Sequence, residues 1–214
     1  MKINEIFLGI DGEVNSLGGQ GTWTVFVRTQ GCNLRCSYCD TTRAQDRAKG
    51  KDMSVDQIVE EVVSSGCNKV TLTGGEPFIQ RREEVRDLIN ALRDKERKIS
   101  IETNGSLPLQ RILSGVNYVA DYKLPSSGME TYMNLGVFYA LEENDYAKFV
   151  ISDEVDFCRA KQVITDLSLL STCRVAFSPN MDDLAPDVLM VWMARDKLFD
   201  IQLNIQIHKL IGVK

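Results

Sequence analysis

Cys32, Cys36 and Cys39 fall at the spacing C-x3-C-x2-C in the stretch Gly31-Cys32-Asn33-Leu34-Arg35-Cys36-Ser37-Tyr38-Cys39-Asp40-Thr41. The stretch directly follows the strand-like run Thr24-Val25-Phe26-Val27-Arg28, so a loop hung from a strand end could gather its sulfurs round one point. The chemistry such a set offers is metal ligation. A tetrahedral structural zinc asks for four protein ligands, whereas iron–sulfur clusters favour thiolate sulfur. A 4Fe-4S cluster on these three cysteines would leave one iron without a protein ligand, free to bind something else. The reading from another class is a zinc-binding interaction module with its fourth ligand elsewhere. Its candidates are His208, the only histidine, and the isolated Cys67, Cys158 and Cys173, none of which has a ligand partner at short spacing.

Other polar motifs close later apolar runs. In Thr73-Gly74-Gly75-Glu76-Pro77 the paired glycines would let another molecule approach the backbone, and the Glu76 carboxylate could bind an ammonium group. Glu102-Thr103-Asn104-Gly105 and Asp121-Tyr122-Lys123-Leu124-Pro125-Ser126-Ser127-Gly128 hold comparable places, as do Lys148 and Ser178-Pro179-Asn180. Each taken alone also reads as an ordinary turn.

The elements that must position these motifs alternate between strand and helix. An apolar opening over 3–10 leads into Asp11-Gly12-Glu13-Val14-Asn15 and the glycine-rich loop Gly18-Gly19-Gln20-Gly21, and a strand follows over 23–29. Ser54-Val55-Asp56-Gln57 is a capping start for a helix with the stripe Ile58, Val59, Val62 and Val63, stopped by Gly66. Beyond it the pattern predicts strands over 69–73, 99–103, 118–121, 147–151, 173–177 and 201–206. The intervening helices fall over 82–94, near 109–113, and over 132–142, 155–170 and 186–197. Such alternation predicts an α/β fold with a parallel sheet and helical crossovers, because parallel neighbours need long connections. Six parallel strands fit a partial (β/α)6 barrel. The reading is a single domain over 1–214 with an N-terminal extension at about 1–22, and the chemistry should collect at the C-terminal strand ends.

At 214 residues, 43% of them hydrophobic, the chain has the material for one such core. A net charge of −5 argues against a nucleic-acid partner and favours a small-molecule substrate. No apolar run approaches the ~20 residues that span a bilayer, and the N-terminus lacks the basic start and apolar core of a signal peptide. Cysteines clustered as ligands suit a reducing compartment, so the expected location is cytoplasmic, with Cys67, Cys158 and Cys173 as buried packing residues.

The cysteine spacing, with the aromatic Tyr38 before the third thiol, resembles the signature of the radical S-adenosylmethionine (radical SAM) superfamily. The resemblance implies one 4Fe-4S cluster on Cys32, Cys36 and Cys39, its open iron chelated by the methionine moiety of S-adenosyl-L-methionine. One electron passed to the sulfonium then releases a 5′-deoxyadenosyl radical. It further implies cofactor contacts at Tyr38, Gly75, Glu76, Glu102, Asn104, Asp121, Lys123 and Ser178.

More narrowly, Glu5-Ile6-Phe7, Asp11-Gly12-Glu13, Phe26-Val27-Arg28, Cys39-Asp40-Thr41, Lys123 to Gly128 and Gln206-Ile207-His208-Lys209 resemble the 7-carboxy-7-deazaguanine synthases. That family of carbon–nitrogen lyases converts 6-carboxy-5,6,7,8-tetrahydropterin to 7-carboxy-7-deazaguanine with loss of ammonia, toward queuosine and other 7-deazapurines. The radical takes hydrogen from C6 of the pterin, the ring contracts, and hydrogen is returned. Membership implies substrate contacts at Ile10, Asp11, Gly12, Glu13, Arg28 and Thr73, and Mg²⁺ at Thr41 together with the substrate carboxylate. It also implies a flavodoxin or ferredoxin-type electron donor and a homodimer.

The residue types suit those roles. Mg²⁺ prefers hard oxygen and keeps few protein ligands, Arg28 offers a bidentate fork for a carboxylate, and Glu13 can pair with the pterin's amino and amide edge. Two departures stand out: Asp11-Gly12-Glu13-Val14 where the family commonly reads Gln-Gly-Glu-Gly, and Lys123-Leu124-Pro125 where it reads Lys-Pro-Pro. A carboxylate at position 11 cannot donate the hydrogen bonds an amide can. The nearest rival is another small radical SAM enzyme, such as a glycyl-radical activase.

Overall fold

The computed structural model describes residues 1–109 and 115–213. Strand β1 (Lys2–Ile10) pairs antiparallel with β2 (Trp23–Thr29) and, on its other edge, with the two-residue β3 (Lys51–Asp52). The chain continues through α1 (Val55–Ser64), β4 (Lys69–Gly74), α2 (Arg82–Asp94), β5 (Lys98–Thr103), β6 (Val116–Tyr122) and α3 (Leu135–Tyr139). Then come β7 (Tyr146–Ile151), α4 (Glu154–Asp166), β8 (Arg174–Pro179), α5 (Pro186–Arg195), β9 (Ile201–Leu203) and α6 (Ile207–Leu210). Among the described residues, all nine strands form one sheet in the order β3-β1-β2-β4-β5-β6-β7-β8-β9.

From β2 onward every pairing is parallel. Among the described residues, six parallel strands of six or seven residues are thus joined by the three-residue β9, which makes seven against the six of the expected barrel. The run predicted as a strand over 201–206 leaves the sheet after Leu203 and turns into α6. Of the other expected elements, 82–94 is found as read. The one over 132–142 shrinks to α3, and the one over 155–170 ends at Asp166, two residues before Ser168 takes the left-handed conformation with φ 51°. The helix expected near 109–113 lies, but for its first residue, outside the described residues.

Local chemistry explains the elements that match. Ser54 caps α1 reciprocally with Gln57: its side chain accepts from the Gln57 amide while the Gln57 side chain accepts from the Ser54 amide. Ile58, Val62, Val85, Leu88 and Leu92 then face the sheet, where Val70, Leu72, Ile99 and Ile101 meet them in the main core.

The other face of the strands looks into the barrel, and its lower part is filled by the loop between β1 and β2. Val14 is buried there against Val119, Tyr146 and Ala176, a small apolar cluster separate from the main core. Beside it the Lys69 ammonium reaches Asp11 Oδ2 at 2.8 Å, Asn15 Oδ1 at 2.8 Å and Thr22 Oγ1 at 3.0 Å. Gln20 Nε2 adds bonds to Gly12 O at 3.1 Å and Asn204 Oδ1 at 2.9 Å. The expected N-terminal extension is therefore a strand held between β2 and the short edge strand β3, followed by an interior plug. Among the described residues, no helix is long and apolar enough to cross a membrane.

Candidate functional site

A cavity of about 250 Å³ opens at the C-terminal ends of the strands. Its walls bring together Cys32, Cys36, Cys39, Tyr38 and Thr41 of the cysteine loop with Ile10, Asp11, Gly12 and Glu13 of the plug. Arg28, Thr73, Gly75, Glu102, Asn104, Asp121, Lys123 and Ser178 complete them from successive strand ends.

The cysteine loop is pinned along its length. Gly31 N donates to Ala44 O at 2.8 Å and Cys32 N to Gln45 O at 3.1 Å. Ser37 donates through its amide to Ser127 O at 3.1 Å and through its hydroxyl to Ser126 O at 2.7 Å. The Ser126 turn is held in its place by the fully buried Asp156, which accepts from its amide at 3.1 Å. Cys32 Sγ accepts from Leu34 N at 3.4 Å and Asn104 Nδ2 at 3.7 Å. Burial raises the thiol pKa of both Cys32 and Cys36, so donors of this kind, or a metal, are what would favour their thiolates. Three unbridged thiols in one wall, with N–H groups aimed at sulfur, fit the donor set of an iron–sulfur cluster. Among the described residues no group of three or more His, Cys, Asp or Glu side chains is drawn together as a metal-holding set.

The glycine pair works differently from the expectation. A Cβ on Gly75 would stand 2.1 Å from the Gly31 carbonyl oxygen, and one on Gly74 would stand 2.4 Å from the Thr29 amide. The close approach is thus made first by the chain's own backbone, the end of β2 at Gly74 and the start of the cysteine loop at Gly75, although both glycines still line the cavity. Glu76 needs a correction. It is fully buried and absent from the cavity wall; its carboxylate accepts from Phe78 N at 3.0 Å, Thr103 Oγ1 at 2.9 Å and Asn104 N at 2.7 Å. Rather than offering itself to an ammonium group, it ties the end of β4 to the end of β5.

A chain of alternating charges runs along the opposite wall. Glu13 pairs with Lys148, Lys148 with Asp121 Oδ2 at 3.3 Å, and Asp121 Oδ2 with Lys123 at 2.9 Å. Lys123 in turn lies 5.7 Å from the centre of the Tyr38 ring. Burial alone would raise Asp121, but the two lysines outweigh it and hold the carboxylate below its ordinary value. For Glu13 the contest is the same, with Lys148 and the Gln206 amide, 2.6 Å away, prevailing. Glu102 goes the other way: burial and the nearby Glu13 and Asp11 push it up to about 7, although Thr73 Oγ1 donates to it at 2.6 Å. Its bonded neighbour, Thr73, belongs to the set expected for the substrate, so Glu102 lies closer to those residues than its assignment to the cofactor implies. Two buried polar atoms of this wall, Tyr38 Oη and Asp121 Oδ1, have no hydrogen-bond partner.

The departures in sequence become intelligible. Asp11 is 1% exposed and spends its carboxylate on Lys69, while Val14 is plug core and Leu124 is buried at the start of the 125–127 turn. At the mouth, Arg28 Nε donates to Glu5 at 3.0 Å, and its guanidinium lies 5.9 Å over the ring of Phe7, itself stacked on Phe26. Thr41 Oγ1 donates to Asp40 Oδ1 at 2.8 Å, so a hydroxyl and a carboxylate oxygen stand together as hard donors. Asp40 also pairs with Lys209 at 3.3 Å.

The sequence motifs contain Lys148, Asp40, Gln206 and His208 but assign none of them to substrate or cofactor, yet all line the cavity, and a Cβ on Gly12 would strike His208 Nδ1 at 1.8 Å. Lys148 could have been found from strand alternation, since it stands opposite Asp121 in the register. The remaining cysteines divide: Cys173 is buried as expected, and Cys67 packs against the core but is only partly buried. Cys158 is exposed on α4, because its helix turns that position to solvent.

Comparison with known proteins adds to this geometry. A model of the radical SAM superfamily matches residues 26–132. The chain is 38% identical over 215 residues to the 7-carboxy-7-deazaguanine synthase of Clostridium acetobutylicum, covering 98% of this chain and 95% of that one. It is 35% identical over 216 residues to the synthase of Chlorobaculum tepidum, covering 99% and 94%. Among solved structures, QueE from Escherichia coli superposes with a TM-score of 0.72 at 21% identity, over 95% of this chain and 92% of that one, which shows the shared fold.

Proposed function

The chain belongs to the 7-carboxy-7-deazaguanine synthase family of the radical SAM superfamily, and from that premise we propose how its cavity divides the reaction. The substrate is 6-carboxy-5,6,7,8-tetrahydropterin and the product 7-carboxy-7-deazaguanine, formed with loss of ammonia. Cys32, Cys36 and Cys39 would hold the 4Fe-4S cluster, and side chains from the strand ends would hold S-adenosyl-L-methionine. When bound, that pair supplies the one-electron cleavage that yields the 5′-deoxyadenosyl radical.

The chain's own residues do the rest. Arg28 takes the substrate carboxylate at the mouth, and Glu13 accepts from the pterin's amino and amide edge, with Gly12 and Ile10 flanking it and Thr73 against the ring. Thr41, steered by Asp40, supplies an oxygen for Mg²⁺ beside that carboxylate. Asp121, Lys123, Asn104, Tyr38 and Ser178 face the cofactor. The Asp121 Oδ1 atom left without a partner is an acceptor ready for a cofactor donor. Asp11 acts through the plug rather than on the pterin.

The observation that carries this reading is a single cavity with three thiols in one wall and the Glu13, Arg28 and Thr73 set in another. It is tested by anaerobic turnover with the carboxypterin, S-adenosyl-L-methionine, reductant and Mg²⁺, where the deazaguanine should form. Cofactor cleavage without that product would point instead to another small radical SAM enzyme.

A further inference from the structure

Lys148 stands in the middle of β7, opposite Asp121 of β6, and its side chain enters the cavity with 12% of its surface exposed. It is the cation paired with Glu13, and it shares Asp121 Oδ2 with Lys123. In the function proposed above, on which this inference rests, Glu13 belongs to the pterin and Asp121 to the cofactor. We infer that Lys148 is the positioning residue that registers the two ligand halves of the cavity, one ammonium holding Glu13 and Asp121 at a fixed separation. Because both lysines sit on Oδ2, Asp121 Oδ1 is the oxygen left to a ligand, and the same ammonium holds Glu13 by its Oε2 while Gln206 donates to Oε1.

A neutral side chain at 148 leaves Glu13, Asp121 and Glu102 facing one another across the cavity, with Lys123 the remaining cation beside them. Mutual repulsion then displaces Glu13 and makes all three carboxylates harder to ionise. The other groups facing this cluster do not compensate. Asp40, from the cysteine loop, is itself negative and paired with Lys209, and burial lowers the pKa of His208 from α6, which keeps its imidazole neutral near pH 7.

The test compares K148M and K148R in reconstituted enzyme between about pH 6 and 9, reading kcat and the KM of each ligand, with melting of the cluster-free protein over the same range. K148M should raise both KM values about tenfold or more, as truncating one partner of a buried charge pair does. It should move the acidic limb of the kcat/KM profile to higher pH and make the cluster-free protein lose stability more steeply as pH rises. K148R should recover most of both KM values, and K148Q replaces K148M with the same expectations if the latter does not fold. A K148M variant that changes one KM only, changes kcat alone, or is indistinguishable from K148R overturns the inference. Wild-type enzyme that fails to turn over the carboxypterin, while K148M still alters the pH dependence of melting, overturns the function reading instead.

Discussion

Lys69 is buried and Lys148 nearly so, and both pair with a carboxylate of the loop between β1 and β2, one at the floor of the barrel and one partway up, in the cavity beneath its rim. Lys69 has three donors and three short partners in Asp11, Asn15 and Thr22, so nothing about it is left to a ligand. Lys148 lies among carboxylates that outnumber their cations, beside an Asp121 oxygen with no partner and a Glu102 pushed up to about 7. Saturation, rather than residue type, separates scaffold from site: a closed polar network fixes a fold, and an open one waits for what completes it.

If that contrast holds, rim substitutions should remove chemistry and spare the fold, while floor substitutions should do the reverse. The largest effect is expected for Cys36→Ala, which should abolish cluster assembly and cofactor cleavage with the melting temperature of the cluster-free protein little changed. Iron content and 5′-deoxyadenosine release measure it. Lys69→Met comes next. Stranding Asp11 without its cation should cost about 3–5 kcal/mol in denaturant unfolding, with the variant losing activity only as it unfolds.

Glu102→Gln should separate the two properties within one residue. Because Glu102 titrates near 7 when folded but at 4.5 otherwise, the native state binds its proton more tightly, and its contribution to stability falls as pH rises between those values. The glutamine variant should therefore turn over poorly yet be more stable than wild type above pH 7, by on the order of 1–2 kcal/mol. Cys158→Ala, on the outer face of α4, should leave both activity and melting where they are. Equal losses of stability at floor and rim would dissolve the contrast.

Much of the frame is legible from short-range pattern. The helix over 82–94 follows from the stripe Val85, Leu88, Ile89 and Leu92, and the start of α1 from a capping box written in four residues. The cavity-lining motifs are legible too, because turns at the C-terminal ends of parallel strands necessarily share a rim. What pattern does not carry is direction and distance. Nothing local to 3–10 says that β1 runs antiparallel, and nothing in Glu76 says that its oxygens will be taken by Phe78, Thr103 and Asn104. The plug is likewise invisible, since Lys69 meets Asp11 and Val14 meets Ala176 only once the sheet has curled.

The wall that closes over Glu13 is drawn from Gln206 and His208, nearly two hundred positions away along the chain. On the ribosome, then, the early strands and their helices can settle long before the loop that carries Glu13 meets its partners from the last turn of the chain. By the same logic a protease that clips after β9 would leave most of the sheet standing and the enzyme disarmed.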